Sequence, residues 1–127
     1  MTETVRDWAN RAEYDLETAR VMLASGRHFY VMFCCQQAVE KALKAVIISR
    51  TGKLAPRIHN LPRLAEIADL PINESTLELM ARLSAFYFQS RYPGQMELPS
   101  GAAGKLYAED TLTKTEETLK WLLSTLK

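Results

Sequence analysis

The chain has 127 residues, enough for one domain with a real core and too few for two. Apolar residues make up 47% of it and charged residues 24%, the balance of a globular protein and not of a disordered one. A net charge of +1 names no partner by itself, and no apolar run approaches the roughly 20 residues of a membrane span.

The N-terminal residues from Met1 to Trp8 are charged and hold no apolar signal-peptide core, which points to a cytoplasmic protein. A first helix is predicted from about Glu3 to Ala24. Val5, Ala9, Ala12, Leu16, Ala19 and Leu23 recur at steps of three and four with Trp8 beside them, an amphipathic seam. Gly26 ends it at the position of a left-handed cap. The connection is short, so the second helix, about Phe29 to Ser49, is its antiparallel neighbour. Cys34 and Cys35 are adjacent on that helix and diverge by about 100°, so they do not bond to each other; buried reduced thiols are expected.

Lys53 to Asn60 reads as a loop. A short third helix covers about Leu61 to Leu70, with Pro62 in its first turn and Pro71 beyond its end. Asn73 is the next N-cap, with Ile72 and Leu77 placed as a hydrophobic staple. The fourth helix runs to about Ser90 and carries Leu77, Leu79, Met80, Leu83, Phe86, Tyr87 and Phe88. Arg91 to Gly104, with two Pro and three Gly, is a loop. The last helix, about Lys105 to Leu126, repeats the seam at Ala108, Leu112, Thr115, Leu119, Leu122 and Leu126. No segment alternates like a strand. The expected fold is all-α, a single domain over 1–127: an up-and-down four-helix bundle with one additional short helix.

Within the second helix, the block from Gln36 to Ala45 sets Gln36, Gln37, Glu40, Lys41 and Lys44 among apolar neighbours. Such groups cost free energy to bury unless paired or facing a ligand. Either they form an exposed stripe with a Glu40–Lys44 pair, or they are a functional surface. From Lys41 to Arg63 every charged residue is basic (Lys41, Lys44, Arg50, Lys53, Arg57 and Arg63), with His59 among them. From Leu64 to Ala81 every charged residue is acidic. The basic run suits a phosphate-bearing partner, unless acidic elements neutralise it in space.

Four pieces, in order, resemble the HEPN domain family: Trp8 with Ala12 and Asp15-Leu16; Gln36-Gln37-Ala38 with Glu40-Lys41-Ala42-Leu43-Lys44-Ala45; His59-Asn60-Leu61 with Leu64; and Arg91-Tyr92-Pro93. They span nearly the whole chain. The resemblance implies a four-helix core, a homodimer, nucleotide or RNA binding, and pairing with a small nucleotidyltransferase, in some cases as a toxin–antitoxin pair. Some members are metal-independent ribonucleases with an Arg followed, after four to six residues, by a His. Here Met96, Glu97 and Leu98 stand where that His is required, and neither His28 nor His59 follows an Arg at that distance, so ribonuclease activity is disfavoured. A degenerate dimerisation module without ligand is the other reading.

The candidate phosphate- or nucleotide-binding residues are Gln37, Lys41, Lys44, Arg57, His59, Arg91 and Tyr92. Lys41 and Lys44 either reach a phosphate or pair with carboxylates. Gln37 either reads a base or ribose edge or braces neighbouring helices. His59, with no carboxylate partner near it in sequence, either meets an anion or orders its loop. Arg91 either forks onto phosphate, with Tyr92 stacking on a base, or closes a carbonyl or pairs with Asp15, with Tyr92 packing under the loop. Trp8, Phe29, Phe33 and Trp121 are core or interface positions. No metal-ligand cluster, cofactor motif or complete catalytic set appears. A homodimer is expected because the aromatic residues around the second and fourth helices exceed what one small core covers.

Overall fold

The structure is a computed structural model that describes residues 1–94 and 98–126. Met96 and Glu97, two of the positions bearing on the ribonuclease motif, lie outside the described residues. Five helices form among those described: α1 (Glu3–Ala24), α2 (His28–Thr51), α3 (Leu61–Ala68), α4 (Glu74–Gln89) and α5 (Gly101–Ser124). No described residue is in a strand.

α1 starts where the Thr2 side chain accepts the Val5 N–H, and it buries Val5, Ala12, Leu16 and Ala19. Gly26, at φ +76°, turns the chain back into α2 as its sequence position predicts. α2 packs against each of the other four helices. That placement explains its composition: a helix covered on every side is apolar all round, and nearly every residue from Cys35 to Ile48 is buried. α1 and α5 close one side of it, α3 and α4 the other.

Several helix ends differ from expectation, and α5 also stops at Ser124, short of Leu126. α2 runs on to Thr51, where Gly52 supplies the left-handed cap. α3 stops at Ala68, short of Leu70, because Asp69 itself takes the left-handed conformation at φ +54°. α5 begins at Gly101, a turn before Lys105. Gly104 is buried inside that turn, and a Cβ on it would collide with the Pro99 carbonyl oxygen. The glycine that reads as a loop residue permits a close approach instead.

The aromatic residues are more fully used inside the monomer than the sequence suggests. Phe86 is buried among Phe29 and Phe33 at 4.9 and 5.5 Å between ring centroids, and Tyr87 is buried beside them. Tyr30 (55%) and Phe88 (46%) remain exposed. Leu77 also stays exposed while Ile72 packs on the core. Trp8 is half-buried in a small apolar cluster with Val5, Ala45 and Ile48, and Trp121 lies at the surface edge.

Candidate functional site

The polar block of α2 is not an exposed stripe. Gln36 (0% exposed), Glu40 (4%) and Lys44 (6%) are all buried, with the loop 52–60 that joins α2 to α3 reaching them at His59. A carboxylate in such a place must be paired, and Glu40 is paired three times. Lys44 Nζ donates to Oε2 at 3.2 Å, Gln36 Nε2 donates to Oε1 at 3.1 Å, and His59 Nδ1 lies 3.0 Å from Oε1 and 3.2 Å from Oε2. Lys44 also sits 5.5 Å from the Trp8 ring, a cation–π contact.

The same Gln36 amide group donates to the His59 carbonyl at 3.2 Å, and Gln37 Nε2 donates to Gln36 Oε1 at 2.7 Å. His59 is thus held by its backbone and by its ring. The next two residues have separate tasks: Asn60 caps α3 by accepting the Arg63 N–H, and Leu61 is buried with its N–H donated to Ser84 Oγ at 2.8 Å. These bonds fix the loop on α2 and α4.

His59, with no carboxylate near it in sequence, has one in space. Glu40 lies nineteen residues earlier, and the loop folds back to deliver the imidazole to it. The outer part of the ring stays open, with the side chain 48% exposed. It lies against Tyr87, centroids 5.4 Å apart and planes inclined by 32°. The Arg91 guanidinium lies over the same Tyr87 ring at 4.5 Å. Arg91 therefore stacks and does not pair with Asp15, which is held by Lys41 at 2.5 Å across the α1–α2 interface.

Much of the basic run is neutralised. Lys41 meets Asp15, Lys44 meets Glu40, and Arg63 meets Glu66 at 3.3 Å. Lys41 and Lys44 are not poised together over one ligand, because each turns to its own carboxylate. Gln37 is a half-buried brace. Arg57 is exposed and makes no ion pair among the described residues, and Tyr92 is exposed just past α4. His59 and Arg91 are brought together on Tyr87. Gln36, Glu40 and Tyr87 are the residues the candidate set missed; buried polar side chains inside an apolar helix were the available signal.

Both cysteine thiols hold their protons more firmly than a free cysteine. Burial raises the Cys35 thiol from 9.0 to about 12, and burial, then the neighbouring Asp15 charge, raises Cys34.

A family model described as the HEPN domain matches residues 5–125. No curated protein matches the sequence. Three solved structures are similar over almost the whole chain. TT1696 from Thermus thermophilus is 29% identical with a TM-score of 0.79, covering 98% of this chain and 100% of its own. ST0689, an archaeal HEPN homologue, is 26% identical with a TM-score of 0.77 over 99% and 100%. A HEPN domain protein, TM0613 from Thermotoga maritima, is 26% identical with a TM-score of 0.72 over 94% and 99%.

Proposed function

Because the chain belongs to the HEPN domain family, we propose that it is a nucleotide- or RNA-binding accessory protein. In this reading it acts as a homodimer beside a small nucleotidyltransferase, in a pairing of toxin–antitoxin type. The observation that carries the binding assignment is the His59–Tyr87–Arg91 surface. An imidazole braced from inside and a stacked guanidinium flank one aromatic ring, and Arg57 lies exposed on the same loop as His59. A guanidinium is suited to phosphate, and aromatic and imidazole faces to bases. The partner class rests on the family alone.

Anisotropy of a labelled single-stranded RNA tests the binding. Arg91→Gln and Arg57→Gln are expected to weaken it and to lower the salt slope by about 0.7 for each phosphate left unneutralised. The RNA is expected to be recovered intact, since the His that would follow Arg91 is missing. Equal affinity of wild type and both variants at low salt would overturn the assignment. Copurification with a nucleotidyltransferase checks the partner.

A further inference from the structure

We propose that this site distinguishes ribose from deoxyribose, with the outward Nε2 of His59 accepting a hydrogen bond from a 2′-hydroxyl and Glu40 acting as the positioning residue. The inference rests on the RNA-binding reading above and adds which chemical group is read.

Glu40 fixes the tautomer of His59. An ionised carboxylate only accepts, so an imidazole nitrogen 3.0 Å from Glu40 Oε1 must carry the proton. Lys44 donates to one oxygen of Glu40, and the Nδ1–H of His59 meets the same carboxylate as a further donor. With Nδ1 protonated and the ring neutral, Nε2 keeps its lone pair.

The orientation is equally constrained. Nδ1 is tied to Glu40, the carbonyl to Gln36, and the ring face to Tyr87. The ring cannot swing away without breaking its bond to a buried carboxylate, so Nε2 is held at the exposed edge, where it has no partner among the described residues. A carboxylate behind a histidine in this way fixes which imidazole nitrogen is offered to a ligand.

The acceptor then chooses its ligand. A phosphate oxygen is itself an acceptor and gains nothing from Nε2; it belongs with the Arg91 guanidinium on the same Tyr87 ring. What Nε2 needs is a donor close to a phosphate along the strand. The ribose 2′-hydroxyl is such a donor, one bond from the sugar–phosphate backbone and independent of the base, and DNA lacks it.

The test compares full-length protein binding to labelled oligouridine, oligodeoxyuridine and 2′-O-methyl-oligouridine of one length. RNA is expected to bind several-fold tighter than the other two, the fold-change that one neutral hydrogen bond provides. His59→Phe, which keeps a ring against Tyr87, is expected to bring RNA affinity down to that of DNA. In ¹⁵N spectra, His59 should show a protonated Nδ1 in the wild type, and Glu40→Gln should disturb that tautomer together with the sugar preference. If Glu40→Gln fails to fold, the His59→Phe comparison and the wild-type tautomer decide alone. Equal binding of all three polymers, or a proton on Nε2, overturns the proposal while leaving RNA binding intact. Absence of binding to any of them removes the RNA-binding reading and this inference with it.

Discussion

Removing the Glu40 carboxylate strands three groups at once: an ammonium, an amide and an imidazole N–H. Glu40→Leu is therefore expected to cost about 3–5 kcal/mol, because Lys44 is left buried and uncompensated. Adding Lys44→Met should recover much of that loss; urea denaturation of the two variants measures it, and a single variant as stable as wild type would contradict this pairing. Cys35 gives a second expectation. Its folded pKa lies above the unfolded value, so the thiol's contribution is complete below pH 9 and is lost as pH rises toward 12. The urea midpoint of the wild type should accordingly fall more between about pH 8 and 10.5 than that of Cys35→Ala. Of this residue-level chemistry, the sequence exposes the oddity of Gln36, Glu40 and Lys44 within an apolar helix. It conceals the partnership with His59, because periodicity relates residues within one helix and says nothing of a loop returning after nineteen residues.

The helices themselves are legible where a side chain caps or a seam repeats. Thr2, Asn60 and Asn73 each accept a backbone N–H at the start of a helix, and for Asn73 the residue type and spacing announce it. Two ends escape the same reasoning: Asp69 adopts a conformation usually left to glycine, and Gly104 serves a close approach that no local rule anticipates. The caps and the tertiary tie at α3 differ in strength. Asn73→Ala removes one exposed cap and should cost about 1 kcal/mol. Ser84→Ala leaves the buried Leu61 N–H without its acceptor, for about 1–3 kcal/mol. Thermal unfolding of the pair should place Ser84→Ala as the less stable; the reverse order would mean that water reaches the Leu61 amide.

At the scale of the whole molecule, the surface available for a homodimer is narrower than the sequence suggests. Phe29, Phe33, Phe86 and Tyr87 already pack together within one chain, so the aromatic surface this cluster still exposes is that of Tyr30 and Phe88. Both flank the aromatic cluster that also carries His59 and Arg91. A two-fold contact there would set two copies of the site close together. Sedimentation at micromolar concentration is expected to show a dimer, and Phe88→Glu to dissociate it; a mass of 14.4 kDa at every concentration would rule it out. The docking of the 52–60 loop has one further result. Its Lys53 and Arg57 are exposed and of the type a trypsin-like protease cleaves, while polar bonds at His59 and the packing of Ala55 and Ile58 hold it in place. Local opening of the loop would at once withdraw the imidazole and offer the backbone to proteolysis, so ligand occupancy and resistance to digestion become two measures of one equilibrium.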